Sequence, residues 1–204
     1  MQRAILDDDR QLDDGARQTD LQTAWRDAPR PARLVLLAGA GIGLAAVVAW
    51  MRDAPAVAAT GLCLLILTAA ALVDIVDRRL PNELVSAAAL PVGVAVALTL
   101  AAGGSAIATG ALAGAALVGG PLLVAHLVSP DGMGFGDVKA GSVLGAAVGL
   151  ISGPVAVLAL LFALAGSGGW AVVQRRRHVA LGPGLVLGAS TALVAARLIG
   201  VEAN

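Results

Sequence analysis

Asp137 stands at the junction of two apolar runs, in the segment Asp131-Gly132-Met133-Gly134-Phe135-Gly136-Asp137-Val138-Lys139. A carboxylate beside hydrocarbon is costly unless it is paired, hydrated or enclosed by protein, so such a residue is a functional candidate. One enclosed acid suits a proton site, whereas chemistry on a bond asks for a second group. Asp74 and Asp77 lie at the same predicted depth. They close the run Leu72-Val73-Asp74-Ile75-Val76-Asp77, immediately before Arg78-Arg79. Three residues apart on a helix, they share a face, so spacing alone leaves either as the partner. Asp74 is the deeper, and Asp77, next to the arginines, suits an interfacial ion pair.

Two carboxyl groups facing each other in a low-dielectric site do not readily ionise together and share a proton. One then serves as general base on a water while the other donates a proton toward the scissile carbonyl, the division of labour in aspartic proteases. That chemistry requires no metal and no cofactor. Cys63 is the sole cysteine, which removes a paired-cysteine zinc site or an internal disulfide, and its apolar surroundings give it the role of a small buried hydrophobe. His126 ends an apolar run and His178 follows three arginines; both read as interfacial, without the serine partner that a nucleophile-and-base pair needs. Acidic and basic residues cancel, and with aromatics at 2% there is almost no surface for stacking bases, so no nucleic-acid partner is expected.

The elements that must position these acids are membrane helices. At 58% hydrophobic and 14% charged residues, with a mean hydropathy of +0.84, the chain is too apolar for a soluble domain of 204 residues. The fold class is an all-α, polytopic membrane helix bundle, and the lipid bilayer is its first partner. A span needs about 20 apolar residues. About seven are marked by punctuation such as Asp53-Ala54-Pro55 and Gly103-Gly104, at 34 to 51, 56 to 76, 84 to 102, 105 to 128, 137 to 151, 154 to 173 and 180 to 200. Residues 1 to 32 are polar and acid-rich without the apolar core of a secretory signal, and read as a flexible cytosolic tail; residues 33 to 204 form the membrane domain.

Basic residues in short loops mark the cytoplasmic side. With the N-terminus inside, Arg26, Arg30, Arg33, Arg78-Arg79, Lys139 and Arg175-Arg176-Arg177 fall inside, leaving only Arg52 and Arg197 outside, together with the C-terminal tail. Trp25, Trp50 and Trp170 fall near the same interfaces. Glycines four apart (Gly39 and Gly43, Gly110 and Gly114, Gly184 and Gly188, and Gly141, Gly145 and Gly149) form grooves for close helix approach. Asp137 heads the last stripe and so turns into the bundle, whereas Lys139 faces nearly the opposite way as an interfacial anchor.

Three stretches, in order, resemble segments of the type IV prepilin peptidase family, membrane aspartyl proteases of the GxGD class. Gly134-Phe135-Gly136-Asp137-Val138-Lys139 resembles the family's GxGDxK segment. Asp74, ahead of Leu80-Pro81-Asn82, resembles its first catalytic aspartate before an (I/L)-P-N turn. Leu181-Gly182-Pro183-Gly184-Leu185-Val186-Leu187-Gly188 resembles its late FGPxLxLG element, with Leu181 in place of phenylalanine. The resemblance implies a six-helix peptidase core plus one extra N-terminal helix, and selects Asp74 over Asp77 as the partner of Asp137. It implies Gly134, Gly136, Lys139, Pro81 and Asn82 as loop positions around the substrate. The two glycines, lacking side chains, would let an extended substrate backbone approach. The implied activity is removal of the leader from pilin-like precursors at the cytoplasmic face of the inner membrane. One cysteine and no cysteine-rich insertion make the chain similar to the short, peptidase-only branch found with Tad/Flp pili, with no N-methyl transfer. A small proton-coupled transporter would also use intramembrane acids, but is expected to carry an internal repeat with broken helices at mid-membrane. A non-catalytic membrane component of an assembly machine would pair Asp74 and Asp137 with loop arginines.

Overall fold

A computed structural model describes residues 21–49, 54–77, 79–130, 133–174 and 181–200. Among them every regular element is helical: α1 (Leu21–Asp27), α2 (Arg30–Ala49), α3 (Ala54–Asp77), α4 (Asn82–Ala101), α5 (Ser105–Val128), α6 (Phe135–Ile151), α7 (Gly153–Gln174) and α8 (Leu181–Leu198). The expected spans thus correspond one to one with α2 through α8. Five of these (Arg30–Val48, Pro55–Asp77, Asn82–Ala101, Ser105–Val128 and Leu181–Leu198) are long and apolar enough to cross a bilayer. α6 has 17 residues, and α7 contributes the apolar stretch Gly153–Ser167. The chain is a multi-pass helical membrane bundle. Trp50, Asp131, Gly132, Arg78, Arg175 to Arg177, His178 and the C-terminal tail lie outside the described residues.

Local chemistry sets the helix ends. Pro81 is extended (φ −62, ψ 125) and cannot continue α3, yet its fixed φ launches α4. Gly103, at φ 80, takes the left-handed turn between α4 and α5. Gly134 is extended before α6, so the helix begins at Phe135 and Asp137 lies inside its first turn instead of opening it. Pro91 and Pro121 fall inside α4 and α5 without ending them, as proline often does in membrane helices.

Of the polar N-terminal stretch, Leu21 to Asp27 is helical. Ala24 and Ala28 are buried as α1 packs against α3. Arg33 fixes the step into α2: its Nε donates to the Ala28 carbonyl at 2.8 Å, and its guanidinium lies 5.3 Å from the Trp25 ring centroid.

Glycine decides the helix pairs. α5 and α6 make the most extensive contact, α7 and α8 the next. A β-carbon added at Gly114 would strike the Gly145 carbonyl, one at Gly149 the Gly110 carbonyl, and one at Gly141 the Leu122 side chain, so α5 and α6 meet backbone to backbone. Gly184 and Gly188 of α8 are closed off in the same way by α7, and Gly39 and Gly43 of α2 by Leu187 and Ser190 of α8. Deeper in the bundle, the buried Thr60 hydroxyl of α3 donates to the Ala147 carbonyl of α6 at 2.6 Å. That bond sets the register of the two helices that carry Asp74 and Asp137.

Candidate active site

α3 and α6 run antiparallel, and from the Thr60 to Ala147 bond both lead to one end of the bundle. At ~1.5 Å per residue, Asp74 lies roughly 21 Å along α3 and Asp137 roughly 15 Å back along α6. The two carboxylates, from distant parts of the chain, come close enough for their charges to interact. Asp74 is 4% exposed and Asp137 is half-buried.

Asp74 is held by the start of a helix, and Asp137 belongs to one. The first N–H groups of a helix lack intrahelical acceptors and favour a carboxylate. Gly182, in the first turn of α8, donates its N–H to Asp74 Oδ2 at 3.0 Å in a buried bond. Asp137 belongs to the first turn of α6, where its own N–H donates to the Gly134 carbonyl at 3.1 Å. Asp77, the last residue of α3, is half-buried, and its side chain makes no hydrogen bond or ion pair among the described residues.

The loop residues named from the sequence gather here as well. Lys139 is exposed and donates from Nζ to Asn82 Oδ1 at 3.1 Å, tying α6 to the first turn of α4. It does not pair with Asp137; its ammonium lies 5.1 Å from the Phe135 ring centroid. Pro81 is the N-cap of that same α4 turn. Gly134 is exposed, and a β-carbon built there would rest in ordinary contact 3.6 Å from Asp137 Oδ2, whereas Gly136 is packed, its β-carbon position 3.3 Å from Leu80 Cβ.

Two participants were not assigned a role from the sequence. Leu80 is wedged between the starts of α6 and α8, since a β-carbon on Gly182 would also come within 3.2 Å of its Cδ2. Its signal was present as the aliphatic position of the Leu80-Pro81-Asn82 turn. Gly182 lay within the late glycine element, but nothing in its spacing pointed at Asp74. The stripe Gly141, Gly145 and Gly149 faces α5, while Asp137, one turn earlier, interacts with Asp74 of α3; the helix start, not the stripe, carries the carboxylate to its partner.

A family model described as the type IV leader peptidase family matches residues 61–170, just over half of the 204-residue chain. The chain belongs to the type IV leader peptidase family. It is therefore a membrane peptidase of the kind that acts on pilin-like precursors. The matched stretch contains Asp74, Asp137 and all the loop residues above, whereas Gly182 and α8 lie beyond it. Comparisons with curated proteins and with solved structures return no match.

Proposed function

We propose that the chain is an aspartic endopeptidase in which Asp74 and Asp137 form the catalytic dyad, and that it removes the leader of Flp/Tad-type pilin precursors at the cytoplasmic face of the inner membrane. The observation that carries this reading is the convergence of the buried Asp74 of α3 and the half-buried Asp137 of α6, whose neighbours Gly182 and Gly136 both pack on Leu80. In this reading one carboxyl takes a proton from the attacking water while the other, carrying the shared proton, donates it to the carbonyl oxygen of the scissile peptide; the roles reverse as the tetrahedral species collapses. Gly134 is exposed beside Asp137 and carries no side chain, which lets an extended substrate backbone approach the carboxylate. The single cysteine supports peptidase activity without N-methyl transfer. In this reading the peptidase domain covers residues 33 to 204, and of the tail over residues 1 to 32 the part from Leu21 onward is not free but packs on α3 as α1 and enters α2 at Arg30.

The test is cleavage of a pilin-like precursor by the purified chain in proteoliposomes. Asp74→Asn and Asp137→Asn are each expected to lose at least ~1,000-fold in rate with folding retained, since removing one member of a catalytic pair disables the unit. Full cleavage by either variant would sink the dyad. Asp77→Asn is expected to cleave at close to the wild-type rate, and loss of activity there instead of at Asp74 would reassign the first acid.

A further inference from the structure

Phe135 lies between Gly134 and Gly136, so the backbone leading to Asp137 is intrinsically free to take many conformations. Catalytic geometry tolerates little such freedom, and an error of about 1 Å in placing a reacting group can cost about 100-fold in rate. Something outside the segment must hold it.

His126, half-buried in the last turn of α5, meets this requirement. Its Nδ1 lies 2.7 Å from the carbonyl oxygen of Met133, the residue before the α6 N-cap. A carbonyl only accepts, so Nδ1 carries the proton and donates it. The imidazole also packs on Phe135, with centroids 5.5 Å apart and planes inclined by 44°. Phe135 therefore has the imidazole on one neighbour and the Lys139 ammonium on another, and Lys139 is tied to Asn82. Because α5 and α6 are locked backbone to backbone at Gly110, Gly114, Gly145 and Gly149, His126 stands in a fixed frame relative to the rest of α6.

We infer that His126 is a positioning residue: by holding the Met133 carbonyl and the Phe135 ring, it fixes the first turn of α6 so that the Asp137 carboxylate faces Asp74. The inference rests on the dyad proposed above and deepens it. His126 itself touches neither carboxylate, and it acts through the loop.

The test compares His126→Phe, which keeps a ring against Phe135 but removes the donor, with His126→Asn, whose side-chain amide places an N–H close to the position of Nδ1. In the full chain, His126→Phe is expected to lose roughly tenfold in kcat for precursor cleavage with KM unchanged, the scale of a modest misplacement. His126→Asn is expected to recover to within about threefold of wild type. Hydrogen exchange, which does not depend on activity, should show the Gly134 to Asp137 amides exchanging faster in His126→Phe and at the wild-type rate in His126→Asn. Wild-type kcat in His126→Phe, or equal impairment of both variants, would overturn the inference. So would a fall in unfolding temperature matching the kcat loss, because the residue would then serve folding alone. Asp74→Asn and Asp137→Asn in the same assay separate the two readings: if they cleave normally the dyad fails, and if they are inactive while His126→Phe is fully active only the role of His126 fails.

Discussion

Gly182 has no side chain, and the space beside its α-carbon is already occupied. A methyl group there would lie 2.8 Å from Asp74 Oδ2 and 3.2 Å from Leu80 Cδ2, while the neighbouring N–H must stay on the carboxylate. Gly182→Ala is thus expected to displace Asp74 or break the bond, and a hydrogen bond to a charged group is worth about 1.5–3 kcal/mol. If the bond orients the carboxylate for reaction, a tenfold or greater fall in kcat follows, each tenfold being about 1.4 kcal/mol. Unaltered kinetics would show that α8 does not orient Asp74. The acids themselves were legible from sequence because a carboxylate in an apolar run stands out. Gly182, Leu80 and His126 were not: a backbone N–H, an aliphatic wedge and an interfacial histidine look alike in sequence whether or not a carboxylate or a loop lies beside them.

Among the elements, α5 and α6 depend on backbone contact that only glycine permits. Gly114→Ala would push against the Gly145 carbonyl, and such overpacking costs about 1–3 kcal/mol. Gly120, in the same helix, has nothing within 4 Å of its β-carbon position. Gly120→Ala is expected to be neutral or to stabilise by up to about 1 kcal/mol through helix propensity. Unfolding of the two variants in mixed detergent micelles measures the contrast, and equal stabilities would mean that the α5 and α6 contact contributes nothing. The sequence set Gly114 in a four-residue spacing with Gly110 and left Gly120 unmarked, and the crossing of the helices shows the first packed and the second open.

For the molecule as a whole, the orientation in the bilayer follows from the distribution of arginine and lysine. The proposed frame, with the N-terminus inside, puts the turn at Ser105 outside and Ser129 inside. Both residues are exposed, and the native Cys63 is 0% exposed and so should stay silent toward thiol reagents. In intact cells, Ser105→Cys is expected to react with a membrane-impermeant maleimide and Ser129→Cys to be protected until the membrane is opened. The opposite pattern would invert the frame and remove the dyad from the cytoplasmic face. α1 and α2 belong to this scale too. α2 lies against both α3 and α8, the helix that carries Asp74 and the helix whose first turn binds it.

Sequence by itself determined the class of this protein and the order of its helices. Hydrocarbon demands long apolar helices, and proline, glycine and charge must mark their ends, so those signals are local and can be read along the chain. It also exposed Asp74 and Asp137, because ionisable groups are rare in such runs. Tertiary structure alone decided what holds them: the α8 amide on Asp74, the Leu80 wedge and the histidine tie on the loop before Asp137. Each is a contact between segments far apart in the chain or between groups with no sequence signature, and it exists only once glycine-lined helices have packed in register.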